Sequence, residues 1–141
     1  MPEGKKTILI IEDESTLLDM YRLKFEAAGF TFLGASTGEA GLKMLKTVKP
    51  DLILIDLMLG NKATGGLIDG FAVIRSLRRD TRHKGVKICA LTNFDQEKNI
   101  ADAYAAGIDD YLVKSDLTPA ELVGKVRDIL AGKKVGTEKE A

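Results

Sequence analysis

The chain has 141 residues, 45% of them hydrophobic, with 21 basic and 21 acidic side chains, which fits a single domain with its own core and speaks against a dedicated nucleic-acid surface. One cysteine, Cys89, and one histidine, His83, exclude a disulfide framework, a multi-cysteine zinc site and His-rich metal chemistry, and make a Ser-His-Asp enzyme a poor fit. No apolar run approaches the ~18 residues of a membrane span, and the opening MPEGKKT lacks a signal-peptide core, so a cytoplasmic protein with no membrane contact is expected.

Taken in chain order, the first apolar run is 7–11 (TILII), a strand that leads directly into Glu12 and Asp13. Leu17, Leu18, Tyr21, Phe25 and Ala28 share one helical face, and Gly29 stops that helix. A weaker run, 30–35 (FTFLGA), predicts a second strand. Ser36 with Glu39 reads as a capping box for a helix carrying Ala40, Leu42 and Leu45, bounded by Pro50. The run 51–55 (DLILI) ends in Asp56, and Phe71, Ile74, Leu77 and Arg78 suggest a third helix. The run 86–91 (VKICAL) leads into Thr92 and Asn93. Ile100, Ala103, Tyr104 and the stop Gly107 mark a fourth helix, and 111–113 (YLV) leads into Lys114. Thr118-Pro119-Ala120-Glu121 is a strong start for a fifth helix through Leu122, Val123, Val126, Ile129 and Leu130.

The first and third strand runs are nearly continuous rather than alternating, the pattern of strands buried on both faces. Five strands alternating with five helices predict an α/β fold with a parallel, doubly wound sheet. One domain is expected over residues 1–131, with 132–141 a short flexible tail and residues 1–5 frayed.

Function in such a sheet collects at the carboxyl ends of the strands. There stand Glu12, Asp13, Asp56, Thr92 and Lys114. Each has a plainer reading alone. Acids favour a helix N-terminus, a lysine can snorkel, and threonine is an ordinary strand residue. Asp56 is harder to dismiss, because a carboxylate directly after LILI needs a partner or a metal. Clustered carboxylates suit Mg²⁺, which takes oxygen ligands at about 2.0–2.1 Å and shares them with phosphate and water. Lys114 and Thr92 supply donors for further phosphate oxygens, which leaves Asp56 as the nucleophile that forms an aspartyl phosphate.

The segments IIEDES (10–15), LILIDLML (52–59), DGF (69–71), ALTN (90–93) and GIDDYLVKS (107–115), in that order, resemble those of response-regulator receiver domains. The resemblance runs from about residue 7 to 130 and implies a flavodoxin-like (βα)₅ sheet of strand order 2-1-3-4-5. It implies that Asp56 accepts phosphate from a histidine kinase or phosphotransfer protein, with Mg²⁺ held by Glu12, Asp13, Asp56 and the backbone carbonyl of Met58. Thr92 matches the switch hydroxyl, Lys114 the phosphoryl-binding lysine, and Tyr111 the aromatic that turns inward as Thr92 moves. It also implies a downstream protein partner on the helix 4–strand 5–helix 5 face, no direct nucleic-acid contact, and a resting monomer that can dimerise on activation. The chain would be a phosphoacceptor switch, not an enzyme with a separate substrate, and would stand alone. A receiver cut from a longer regulator, or a degenerate receiver acting only by binding, are the alternatives.

Three features depart from the pattern of that family. Ser115 follows Lys114 where proline in a cis peptide is usual, and a trans bond is expected, since a non-proline cis bond costs about 2.5–4 kcal/mol. The stretch 60–68 before Asp69-Gly70 is longer than usual, either a flap over the site or a tolerated flexible loop. Met58 and Phe94 place apolar side chains where hydrolytic water would pass, which predicts slow self-dephosphorylation. The basic stretch Arg75, Arg78, Arg79, Arg82, Lys84 and Lys87 reads as a solvated helix end, His83 as exposed, and Cys89 as an inert core thiol. A haloacid-dehalogenase-type phosphatase would need a second acid after the nucleophile, but Asp56-Leu57-Met58 has none. A flavodoxin would need a Ser/Thr/Gly-rich first loop, but Glu12-Asp13-Glu14-Ser15 repels phosphate.

Overall fold

A computed structural model describes residues 5–60, 66–94 and 96–133. Its elements are β1 (Thr7–Ile11), α1 (Ser15–Ala27), β2 (Thr31–Ala35), α2 (Gly38–Met44), β3 (Leu52–Ile55), α3 (Gly70–Arg79), β4 (Lys87–Thr92), α4 (Glu97–Ala106), β5 (Asp110–Val113) and α5 (Pro119–Leu130). All strand pairs are parallel, in the order β2-β1-β3-β4-β5. This is the flavodoxin-like arrangement the resemblance implied. The expected tail lies mostly outside the described residues.

The continuous apolar strands are explained by two cores. Leu9, Ile11, Ile53, Ile55, Ile88, Ala90 and Tyr111 face the layer of α2, α3 and α4. Ile8, Ile10, Leu52, Leu54, Cys89, Leu91 and Leu112 face the layer of α1 and α5. Alternate side chains point to opposite faces, so a strand covered on both sides must be apolar throughout. Chain order places β1 between β2 and β3, so the crossovers diverge to opposite sides at the carboxyl ends of β1 and β3.

The structure corrects several local readings. The N-cap of α2 is Thr37, whose hydroxyl accepts from Ala40 N–H at 3.0 Å, and not Ser36. Glu39 does not close a capping box there. Its carboxylate instead accepts from Leu67 N–H at 2.8 Å, a partner only the tertiary fold supplies. The fifth strand starts one residue early, at Asp110, and Val73 joins Ile74 and Leu77 as the buried side of α3. The α5 capping box is present as read, with Thr118 and Glu121 exchanging both hydrogen bonds.

His83 is buried, only 3% exposed, in a 3-10 turn. Its Nε2 donates to the Leu45 carbonyl at 2.7 Å. Leu45 caps the C-terminus of α2, where carbonyls lack intrahelical donors, and the ring supplies one.

Arg78 is likewise no solvated helix end. Its guanidinium donates to Gly107 O at 2.7 Å, Val86 O at 2.8 Å and Asp109 Oδ2 at 2.7 Å. One side chain thus ties α3 to the start of β4 and to the α4–β5 turn. A planar fork suits these divergent acceptors better than an ammonium can. Arg78→Met will therefore lower stability by about 2 kcal/mol, short of the ~3–5 kcal/mol of a fully buried pair because Asp109 is partly wet. Thermal unfolding should fall by roughly 5–10 °C, with Arg78→Lys recovering only part of it. An unchanged midpoint in Arg78→Met would refute the staple.

Candidate functional site

Glu12 follows β1, and its N–H extends the ladder to Ala35 O at 2.9 Å. Asp56 follows β3, its N–H donating to Ile11 O at 3.1 Å. The sheet therefore fixes both backbones before either side chain is considered. Asp13 stands beside them, and each of the three carboxylates offers an oxygen within 4.8 Å of the others. Glu12 and Asp56 are almost completely buried, whereas Asp13 is partly exposed.

Lys114, in the 3-10 turn Lys114–Asp116 after β5, crosses β4 to reach this cluster. Its Nζ donates to Glu12 Oε1 at 2.7 Å and to Asp56 Oδ2 at 2.9 Å. Burial alone would lower the lysine's pKa, but the two carboxylates outweigh it and hold the ammonium above the ordinary lysine range. Burial pushes Glu12 up; Lys114 and the Glu14 N–H oppose that push without cancelling it, and Asp56 adds repulsion. The two directions are compatible, because one ammonium serves two buried acids and leaves negative charge over. Tyr21 of α1 lies close by, its phenol pushed up to about 12 chiefly by burial, so it stays neutral.

The other oxygen of Asp56, Oδ1, accepts from Met58 N–H at 2.9 Å. Behind the loop, Asp69 caps α3 by accepting from Ala72 N–H at 2.9 Å. Gly70 then packs directly on the Asp56–Leu57 backbone. A Cβ there would stand 2.3 Å from Asp56 O and 2.7 Å from Leu57 Cα. The Asp-Gly pair thus sets the first turn of α3 against the acid-bearing loop.

The family described as response regulator receiver domain matches residues 8–127. The chain belongs to that family. It is similar to the phosphate regulon transcriptional regulatory protein PhoB of Pseudomonas aeruginosa, 34% identical over 125 residues, covering 89% of this chain and 52% of that protein. It is equally similar to the DNA-binding dual master transcriptional regulator RpaA of Synechocystis sp., 34% identical over 123 residues, covering 87% of this chain and 48% of that one. The chain spans about half the length of these curated relatives. Among solved structures, a putative response regulator from Chloroflexus aurantiacus superposes with a TM-score of 0.78 at 31% identity, covering 90% of this chain and 98% of its own.

As a receiver, the chain brings Glu12, Asp13, Asp56, Thr92 and Lys114 to one edge. Thr92 ends β4 fully buried, and its Oγ1 accepts from Phe94 N–H at 3.3 Å. Tyr111 is already turned inward and fully buried, its hydroxyl donating to the Phe94 carbonyl. Among the described residues no peptide bond is cis, so the Lys114–Ser115 bond is trans. Being serine rather than proline, residue 115 carries an N–H, which donates to Asn93 Oδ1 at 2.9 Å. Asn93 and Tyr21 were absent from the sequence-based site. Asn93 directly follows Thr92 and was the available signal.

The long loop before Asp69 is described only at its base. Gly60, at φ +94°, packs on Ile68, whose carbonyl would lie 3.2 Å from a Cβ there. Gly66 and Ile68 rest on Thr37 and Gly38, and Leu67 N–H is held by Glu39. This limb is therefore anchored to α2. Residues 61–65, on which the flap reading also depends, lie outside the described ones. Met58 is half exposed and Leu67 88% exposed.

Three hard carboxylate oxygens, one partly open to solvent, carry more negative charge than Lys114 balances. That donor set fits Mg²⁺, which takes oxygen ligands and keeps some water.

Proposed function

We propose that Asp56 accepts a phosphoryl group from a phosphohistidine of a histidine kinase or phosphotransfer protein, and that the chain works as a switch rather than turning over a separate substrate. The observation that carries this is the placement of Asp56: buried at the end of β3, with Oδ1 on Met58 N–H and Oδ2 on Lys114 Nζ. Glu12, Asp13, Asp56 and the Met58 carbonyl would hold Mg²⁺. Bound there, the ion would offset the carboxylates and the incoming phosphoryl oxygens, which otherwise repel.

In this reading an Asp56 oxygen forms the new bond to phosphorus. The bond from phosphorus to the donor imidazole breaks, and that nitrogen keeps the electron pair and is neutralised by a proton. Lys114 exchanges its contact with Asp56 for one with a phosphoryl oxygen. Thr92 Oγ1 already accepts Phe94 N–H, so its own O–H is available to the same group. Movement of Thr92 would carry Phe94, and with it the carbonyl that holds Tyr111. Because Tyr111 is inward in this structure, phosphorylation would stabilise an arrangement the chain already adopts, a shift of population on the α4–β5–α5 face. A downstream protein would read that face, with the resting chain a monomer able to dimerise when activated.

The test is intact mass after incubation with acetyl phosphate, with and without Mg²⁺. The expected result is a metal-dependent gain of one phosphoryl group. No gain in either condition would leave a receiver that acts by binding alone, and steady hydrolysis of phosphomonoesters would revive the enzyme reading.

The length of the curated relatives favours a second reading of the context, in which this segment belongs to a longer DNA-binding regulator rather than standing alone. DNA contact would then fall to another part of the protein. The size of the native product in a cell extract separates the two.

Met58 is half exposed and Phe94 half-buried, and neither side chain can hydrogen-bond an attacking water. Met58→Asn combined with Phe94→Gln should hasten loss of the phosphoryl group roughly tenfold, the worth of one well-placed hydrogen bond. The decay of phosphorylated mass over time measures it; an unchanged half-life would refute the role of these two positions.

A further inference from the structure

Beyond Thr92 and Val113, the last paired residues of β4 and β5, the ladder ends. Asn93 lies in a bend, and Lys114–Asp116 form a 3-10 turn. The first N–H groups of such a turn have no acceptor within it. Asn93 supplies one, its Oδ1 accepting from Ser115 N–H at 2.9 Å across 22 residues of sequence. Because the facing group is an N–H, the atom turned toward it must be the amide oxygen. A side-chain carbonyl thus extends the β4–β5 ladder by one bond where the backbone no longer can.

The two residues it joins adjoin the two phosphoryl donors of the proposed site. Asn93 follows Thr92, and Ser115 follows Lys114. We infer that Asn93 is a positioning residue for phosphoryl transfer: by holding Ser115 N–H it fixes the Lys114–Ser115 peptide and so sets where the Lys114 ammonium stands. This rests on the reading of Asp56 as phosphoacceptor.

The physical need is clear from the lysine itself. Its side chain is long and rich in rotamers, yet Nζ must lie 2.7 Å from Glu12 and 2.9 Å from Asp56 at once. A loose backbone at Lys114 would spread that position. Proline at 115 would stiffen the loop but would bring no N–H. Ser115 brings the N–H, and Asn93 is the matching acceptor. The bond also links the loops. When Thr92 moves toward a phosphoryl group on Asp56, Asn93 moves with it, and the tie to Ser115 brings the Lys114 loop along.

The test uses the full chain with acetyl phosphate and Mg²⁺ at ~0.5 M salt, which screens surface charge. Asn93→Ala removes the acceptor, and Asn93→Asp keeps an acceptor oxygen in place. Phosphorylation rate, Mg²⁺ affinity, thermal midpoint and hydrogen exchange at the Ser115 amide are read for each. Asn93→Ala should slow phosphoryl gain about 3- to 10-fold and speed Ser115 exchange, with Mg²⁺ affinity and midpoint unchanged. Asn93→Asp should restore most of the rate and of the protection. A wild-type rate in Asn93→Ala overturns the inference, as does an Asn93→Asp variant that is as slow as Asn93→Ala. Wild-type protein that gains no phosphoryl group overturns the acceptor reading beneath it, and shows this before any variant is compared.

Discussion

Asp56→Asn is expected to abolish phosphoryl gain from acetyl phosphate while leaving the fold intact. Asparagine retains an oxygen where Oδ1 accepts from Met58 N–H at 2.9 Å, so the loop keeps its shape. In place of Oδ2 it puts an amide group beside the Lys114 ammonium, which turns fully to Glu12. The amide nitrogen is no nucleophile toward phosphorus, so incorporation should drop from stoichiometric to background. Stability should not drop with it. Two buried carboxylates share one ammonium, and Asp56 is among the charges that push Glu12 up. Removing Asp56 relieves that repulsion, so the midpoint without metal should equal or exceed the wild type's. Affinity for Mg²⁺ should fall, since one of three carboxylate donors is gone. Phosphoryl gain that survives the substitution would move the acceptor to another residue, Glu12 or Asp13 first. A midpoint lowered by many degrees would mean that Asp56 holds the fold together, contrary to the charge argument.

The second large effect is expected at Gly70. An added methyl would meet Asp56 O at 2.3 Å, Leu57 Cα at 2.7 Å and Asp56 C at 3.0 Å. All three are backbone atoms at the end of a central strand, and none can swing aside. The methyls that would clash at Gly41 meet the flexible end of Ile11 instead, which makes Gly70 the harder case. Gly70→Ala should therefore cost about 3 kcal/mol, the upper end for overpacking, or roughly 10 °C in midpoint. It should also push the Asp56 loop out of line, and a displacement near 1 Å can slow a positioned reaction on the order of 100-fold. Gly29→Ala is the control: its φ of +94° is strained for alanine, but nothing lies within 4 Å of its Cβ. It should lower the midpoint modestly and leave the phosphorylation rate alone. Equal rates in Gly70→Ala and wild type would show that α3 does not set the position of Asp56.

The strand positions and the acidic edge were legible because they depend on short-range pattern, whereas the strand order followed only from the family resemblance. A strand buried on both faces must be apolar at every position, and the acids at 12, 13 and 56 break that rule where the strands stop. The helix ends were legible for the same reason where the signal was local, as at Thr118 and Gly107. Ser36 and Thr37 show the margin: two candidate caps stand side by side, and Glu39, the residue that favoured one, was claimed by Leu67, 28 positions away.

What the amino-acid sequence by itself determined was which residues alternate between two cores and which polar groups stand at strand ends. The tertiary structure alone decided which long side chain meets which partner. Arg78 and His83 sit among polar residues along the chain and would pass for solvated residues. In space Arg78 meets the Gly107 carbonyl and the Asp109 carboxylate, His83 the Leu45 carbonyl, and exposed Asn93 the Ser115 N–H, all partners far off in sequence. Lys114 is the extreme case, reaching Glu12 across 102 residues and past both β4 and β3. Periodicity and capping act over one turn of chain, whereas the need to pair a buried polar group acts over whatever distance the fold brings together.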